Sequence, residues 1–404
     1  MAEFVYRCTE CQRTYSREDV RYLCPECGKT YHPGIPLKGV LEAVFDYEAI
    51  HAKFNQARPD WNLFCAVEPE FHPPLAVGST PLTPANKLGA ELGLANLWVK
   101  NDGLNPSGSL KDRASFLVVA EAMRLGEKRI VAASTGNAAS ALAAVCASTD
   151  REALIFVPEK APKAKLVQMV LYGARVIPVK GTYDDAFRLS LEYTDQRGGL
   201  NRNTAYHPLT IEGKKTAGLE IWAQLGFQVP DAILVSVGDG VIIAGLHKAF
   251  VDLQRAGLID RLPRLICVQA ATSDAIHKYI QTGQYEDAEN PTTRADSISV
   301  SCPSNAHWAR RAVLETNGCS ILVSDGEILE AQAQMARTTG IFGEPAAATA
   351  AAGLVKLQQS PARLSATDCI VILATGHGLK DVEAPLARIS IPAAIEPELD
   401  AVIE

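Results

Sequence analysis

The chain has 404 residues, of which 47% are hydrophobic and 21% charged; these globular proportions exclude a disordered or collagen-like chain and leave room for two to three cores. A formal net charge of −7 argues against a protein whose main work is neutralising nucleic-acid phosphates. No apolar run reaches the roughly 18–20 residues of a membrane span, and the start, MAEFVYRCTEC, lacks the basic and apolar regions of a secretory signal. A cytoplasmic enzyme acting on a small molecule is expected, with neither nucleic acid nor membrane as partner.

The first elements in the chain are two cysteine knuckles, Cys8-Thr-Glu-Cys11 and Cys24-Pro-Glu-Cys27, separated by twelve residues. Each Cys-x-x-Cys places two sulfurs on one tight turn, and two turns supply four thiolates for a tetrahedral Zn²⁺. A segment this short buries too little apolar surface to fold alone, so a metal staple is the physical expectation. Four cysteines leave no open coordination position, which makes the expected ion structural. Cys65, Cys146, Cys267, Cys302, Cys319 and Cys369 are scattered singly and read as small core residues of a reduced compartment.

After Pro36 the pattern alternates between short apolar runs and helical segments. Strands are expected at Asn96–Lys100, Ile130–Ala133, Ala153–Val157, Arg175–Val179, Ala232–Val237, Arg264–Gln269, Ile321–Val323 and Cys369–Ala374. Runs of this length separated by helices indicate βαβ units and mainly parallel sheet. The expected fold is α/β, with two mainly parallel domains and the active site between them, at strand C-termini. The tail from Ile389, rich in proline and acid, reads as peripheral.

Four polar loops follow expected strands. In Asn105-Pro-Ser-Gly-Ser-Leu-Lys111-Asp112-Arg113 a lysine opens a helix, where the helix dipole lowers an amine's pKa and favours imine chemistry; a solvated helix start is the plainer alternative. Ser134-Thr135-Gly136-Asn137 offers hydroxyls and amides to a carboxylate, or serves as an ordinary N-cap. The turn Gly238-Asp239-Gly240-Val241-Ile242 has bare amides suited to a phosphate. The fourth loop, Thr375-Gly-His-Gly-Leu-Lys-Asp381, ends the last strand.

Together with Glu212–Thr216 (EGKKT), Gly340–Pro345 (GIFGEP) and Gly78-Ser-Thr-Pro-Leu, these motifs resemble the threonine synthases, in family order across residues 78–381. Those enzymes are fold-type-II, tryptophan-synthase-β-like enzymes of pyridoxal phosphate (PLP), and some carry a cysteine-rich ribbon ahead of the catalytic body. The resemblance implies a zinc ribbon over 1–36, a large domain from 37–115 and 206–404, a small mobile domain over 116–205, and a homodimer. It implies that Lys111 forms the Schiff base with PLP and that Asn137 meets the ring hydroxyl. Gly238, Asp239, Gly240, Val241 and Ile242 would bind the cofactor phosphate, and Thr375 would face the ring nitrogen. Ser134, Thr135, Gly136, Ala138 and Thr210 are the implied substrate contacts. The implied reaction converts O-phospho-L-homoserine and water to L-threonine and phosphate by γ-elimination and β-addition.

Three positions depart from the family pattern. Thr210 stands where an arginine commonly holds the substrate phosphate, a loss that Lys214, Lys215 or His207 would have to offset. Ala138 replaces a threonine, and Asp239 puts a carboxylate in the phosphate loop unless its side chain turns away to cap the following helix. These changes keep open β-replacement or β-elimination on O-phosphoserine, as in cysteate synthases, and ammonia-lyase action on serine or threonine. His32, His51, His72 and His277 read as surface or structural, His377 as a residue orienting Thr375, and Glu344 as a helix N-terminal residue.

Overall fold

The computed structural model describes residues 3–32, 34–161, 163–386, 391–397 and 402. Of the tail from Ile389, residues 391–397 and 402 are exposed and form no helix or strand; the rest lies outside the described residues.

Among the described residues three sheets are formed. The first joins β1 (Phe4–Cys8), β2 (Thr14–Tyr15) and β3 (Leu41–Phe45) antiparallel in the order β2-β1-β3. Its third strand lies past the boundary expected at residue 36, pairing Cys8 with Leu41 and Phe4 with Phe45. The remaining strands are β4 (Leu82–Pro84), β5 (Asn96–Asn101), β6 (Arg129–Ala133), β7 (Glu152–Pro158), β8 (Arg175–Val179), β9 (Leu200–Asn201), β10 (Ala232–Ser236), β11 (Arg264–Ala270), β12 (Cys319–Val323) and β13 (Cys369–Ala374). One sheet runs β12-β11-β10-β13-β5-β4, parallel except for β4, and the other runs β8-β7-β6-β9, parallel throughout. The four-stranded sheet thus falls within residues 129–201, while the six-stranded sheet draws strands from both sides of it.

The α/β expectation holds, and each expected strand is present with ends shifted by no more than two residues. Residues 232–236 and 370–374 are buried throughout, as both faces of a parallel sheet require. Four strands, β5, β6, β10 and β13, deliver the four polar loops from their C-terminal ends.

Two helices behind the first of these loops touch backbone to backbone. Helix Leu209–Gln224 meets helix Lys111–Arg124 at Gly213, where a Cβ would stand 2.3 Å from the Arg113 carbonyl oxygen. The glycine of the Glu-Gly-Lys-Lys motif is therefore a packing requirement.

The cysteine ribbon is built onto this body. One continuous apolar cluster contains Tyr6, Val20, Leu37 and Phe45 together with Leu117, Trp222 and Phe250. Tyr22 stacks on Tyr206 with ring centroids 4.6 Å apart, and its hydroxyl accepts from the Asn201 amide at 2.9 Å. No helix among the described residues is long and apolar enough to cross a membrane.

Candidate active site

Lys111 is positioned by the residues on either side of it. Asp112 folds the preceding loop back on itself, accepting from the Ser107 amide at 2.7 Å and from the Ser107 hydroxyl. Arg113 ties the helix down: its Nε and Nη2 donate to Asp102 at 2.7 and 2.9 Å, and Nη1 and Nη2 donate to Glu220 at 2.6 and 2.8 Å. Across the loop, the Leu110 amide donates to the Thr375 carbonyl at 2.9 Å and the His377 amide to the Gly108 carbonyl at 2.9 Å. The Glu344 amide donates to the Gly376 carbonyl at 3.0 Å. Three motif segments are thereby knitted into one floor under Lys111. His377 accepts from the Leu379 amide at 3.1 Å, a local turn role.

Burial lowers the Lys111 pKa; Glu344 and Asp239 oppose that shift, and Arg202 adds to it. Among the described residues the Lys111 Nζ has no hydrogen-bond partner. Asn137 opens the helix Asn137–Ala147, and its Nδ2 donates to the Glu344 carboxylate at 2.8 and 3.1 Å and to Ser297 Oγ at 3.3 Å. The side chain expected to meet a ring hydroxyl therefore spends its amide hydrogens on Glu344 and Ser297 here. Glu344 heads helix Pro345–Gln358 but makes no side-chain cap bond, so its reading as a helix partner gives way to one facing Asn137 and Lys111. Burial raises its carboxyl pKa against the pull of Asn137, Lys380 and Lys111. Lys380 closes the same corner, donating to Ser107 O at 2.8 Å, Gln168 Oε1 at 2.7 Å and Ser140 Oγ at 3.1 Å.

Two loops present unused amides. Those of Thr135, Asn137 and Ala138 have no acceptor among the described residues, and Ser134 Oγ accepts from the Gly136 amide at 3.2 Å. The five consecutive amides of Gly238–Ile242 likewise have no acceptor, at the N-terminus of the helix Val241–Arg255. Gly240 takes φ +84°, and a Cβ there would stand 2.8 Å from the Asn305 carbonyl oxygen. The Asp239 side chain turns away from its own loop, as anticipated, but does not cap the following helix. Its oxygens accept from the Ser304 amide and hydroxyl, both at 2.7 Å, because residues 303–305 pack directly over the turn.

The segment 202–215 decides the charge of the site. Thr210, expected among the substrate contacts, is fully buried, and its hydroxyl donates to the Thr204 and His207 carbonyls. Burial holds His207 down at about 4, against the charge of Glu121, so it is neutral at pH 7. Lys215 is paired with Glu212 at 2.5 Å and Asp252 at 3.0 Å. Lys214 differs: it is 3% exposed, with no hydrogen-bond or ion-pair partner among the described residues. Burial, then Lys111 and Arg202, drive its pKa well below the lysine range against the pull of Asp239. Arg202 is also buried, at about 10, its Nε donating to Ser115 Oγ at 3.0 Å and its Nη2 to the Lys111 carbonyl at 3.4 Å. Sequence reasoning missed Arg202, which carries no motif.

In the ribbon, the sulfurs of Cys8, Cys11, Cys24 and Cys27 lie within 4.8 Å of one another, Cys11 and Cys24 at 3.7 Å. Tetrahedral thiolates at about 2.3 Å from Zn²⁺ stand about 3.8 Å apart. The Glu10 amide donates to Cys8 Sγ at 3.4 Å and Tyr15 Oη lies 3.1 Å from Cys24 Sγ, so the sulfurs already have polar neighbours.

Residues 74–376 match the family described as pyridoxal-phosphate dependent enzymes. The chain belongs to that family. Among its relatives, this PLP-dependent enzyme is 36% identical to a threonine synthase of Methanocaldococcus jannaschii, over 98% of this chain and 97% of the relative. It is 34% identical to a threonine synthase of Methanosarcina acetivorans, again over 98% and 97%. With such relatives it is an enzyme of the lyase type. Among solved structures, a threonine deaminase from T.th. is similar at TM-score 0.63 and 27% identity, over 74% of this chain and 93% of that one. The processed threonine deaminase isoform 2 of Solanum lycopersicum shares the fold at TM-score 0.66 and 24% identity, over 77% and 87%.

The residues fit the cofactor. A phosphate dianion matches five free amides at a helix N-terminus, and an aldehyde matches a lysine whose Nζ is unpartnered and whose pKa is lowered. Ser109 Oγ is buried without a partner, and Thr375, 7% exposed, has an uncommitted hydroxyl among the described residues.

Proposed function

We propose that this enzyme is a threonine synthase, converting O-phospho-L-homoserine and water to L-threonine and phosphate. Lys214 carries the reading, because a buried amine without a protein partner among the described residues holds its proton favourably only when an anion arrives. The cofactor brings one phosphate, matched to the amides of Gly238–Ile242. A phosphorylated substrate brings a second, which Lys214 and Arg202 would receive in place of an arginine at 210. Relatives named threonine synthase over nearly the whole chain support the same reading.

PLP, when bound, supplies the electron sink that acidifies the substrate's Cα–H and Cβ–H. Lys111 would hold the cofactor and, once displaced by substrate, carry protons at its Nζ. Burial lowers its pKa, which favours the neutral amine that takes a proton. Ser134, Gly136 and the free amides of Thr135, Asn137 and Ala138 would seat the substrate carboxylate. Thr375 Oγ1 would face the ring nitrogen as a neutral group, and Glu344 would hold Asn137 in place. Homodimeric assembly, implied by the resemblance, belongs to the same reading.

Lys214→Gln tests the phosphate assignment. The Michaelis constant for O-phospho-L-homoserine is expected to rise about ten- to a hundredfold, the value of one charge-assisted hydrogen bond, with the visible absorption of the holoenzyme unchanged. An unchanged Michaelis constant would remove Lys214 from the substrate site. Deamination of free threonine, the activity named for the solved relatives, brings no second phosphate and leaves Lys214 unpaired.

The ribbon would hold a structural Zn²⁺ on Cys8, Cys11, Cys24 and Cys27. Chelation is expected to lower the melting temperature and open residues 3–45 to protease, while the bound cofactor's absorption persists. Loss of that absorption in step with the metal would contradict a purely structural ion.

A further inference from the structure

The ribbon and the catalytic body enclose a cavity of about 360 Å³, remote from Lys111 in sequence and lining. Arg7 and Glu42 come from the ribbon sheet, Arg255 from the helix Val241–Arg255, and Arg311 and Glu315 from the helix Ala306–Glu315. The charges do not balance. Arg7 is spent on Glu42, at 3.0 Å through Nε and 2.6 Å through Nη2, and Glu42 also reaches Arg255 at 3.9 Å. Glu315 lies 2.9 Å from His247 Nε2, and His247 Nδ1 accepts from Trp308 Nε1 at 3.1 Å. Lys248, at the cavity wall, is committed to both oxygens of Asp252 at 2.5 and 2.6 Å.

Arg311 is left over. Its guanidinium lies 4.5 Å over the Trp308 ring, its Nε is buried without a hydrogen-bond partner, and among the described residues it makes no ion pair. Burial lowers its pKa; Glu42 and Glu315 oppose the shift, and Arg255 and Arg7 add to it. A half-buried guanidinium whose fork makes no bond among the described residues, with the ring behind it fixing its plane, is a preorganised oxyanion receptor. On the same wall Gln12 donates one amide hydrogen to the Thr9 carbonyl at 3.1 Å and keeps the other for the remainder of a polar ligand.

We propose that this cavity is a second ligand site, distinct from the active site, that binds a small phosphoryl anion, inorganic phosphate or a phosphate monoester, on Arg311 and Arg255. Arg7, Thr9 and Glu42 belong to the ribbon, so an occupant braces the ribbon against the body.

The test uses the full chain loaded with zinc and PLP. Hydrogen–deuterium exchange and thermal melting are followed with millimolar inorganic phosphate and, separately, with glycerol 3-phosphate, a monoester that carries no amino-acid group. Either ligand is expected to slow exchange in Phe4–Cys8 and Ala306–Glu315 and to raise the melting temperature. The more protective of the two identifies the source. In Arg311→Gln the local protection is expected to vanish and the dissociation constant to rise about tenfold or more. Without ligand the variant is expected to melt within a few degrees of the wild type, because only the stacking on Trp308 is lost. Two results overturn the proposal: no protection of these segments by either probe, or equal protection in wild type and Arg311→Gln. A ligand-free variant that melts markedly lower and a wild type indifferent to phosphate would make Arg311 a structural residue instead.

Discussion

Lys111→Ala is expected to abolish the visible absorption of bound PLP and to lower turnover by about a thousandfold or more. The magnitude follows from the proposed role of Lys111 as both cofactor attachment and proton carrier, which the variant would lose together. No other group near the site replaces it. Lys214 is held on a neighbouring helix by the close contact at Gly245, where a Cβ would meet its own Cβ at 2.8 Å, and Lys380 is engaged with Ser107, Gln168 and Ser140. The fold is expected to survive, since Lys111 Nζ makes no hydrogen bond among the described residues. A variant that keeps its absorption band would move the cofactor lysine elsewhere.

Arg113→Met is expected to destabilise the protein by about 3–5 kcal/mol, the usual result of stripping a buried carboxylate of its partner. Asp102 is fully buried and takes two of the Arg113 bonds; Glu220, half-buried, takes two more. Acid denaturation gives a second readout. Burial alone would raise the Glu220 carboxyl, but hydrogen bonds and charge from Arg113, with Lys100 behind, hold it at about 2. Its folded pKa lies below its unfolded value, so its contribution is complete above about pH 4.3. It is lost as pH falls towards 2. In Arg113→Met that depression is relieved and acid unfolding begins at higher pH. Urea titration at pH 7 and an acid titration measure the two effects, and a loss below about 1 kcal/mol would contradict the network's role.

The parallel strands were legible because fully buried strands leave continuous apolar runs, as in Ile370–Ala374. Lys111 stood out only through the resemblance of its loop, taken with the other motif loops, to the threonine synthases; a lysine after a Gly/Ser turn at a helix start has a plain solvated reading by itself. The structure adds what its neighbours do: Asp112 folds the loop and Arg113 clamps the helix. The charge pattern of the site was not legible. Lys214 and Lys215 are adjacent and chemically identical in sequence, and only packing separates a lysine paired with Glu212 and Asp252 from one with no partner among the described residues. Arg202 belongs to no motif, and Glu344 precedes a proline at a helix start, where an acidic residue has an ordinary explanation. Nor was the setting of Thr210 legible: a hydroxyl in the first turn of a buried helix bonds nearby carbonyls, which its place in a motif does not reveal. The third ribbon strand, Leu41–Phe45, was hidden because it pairs with residues more than thirty positions away.

The deciding measurement is turnover of O-phospho-L-homoserine by the zinc- and PLP-loaded enzyme, with threonine and inorganic phosphate followed together. Equal amounts of both products, with free threonine and serine left intact at the same enzyme concentration, is the expected result. Phosphate released without threonine, or deamination of free threonine in place of synthesis, would contradict it.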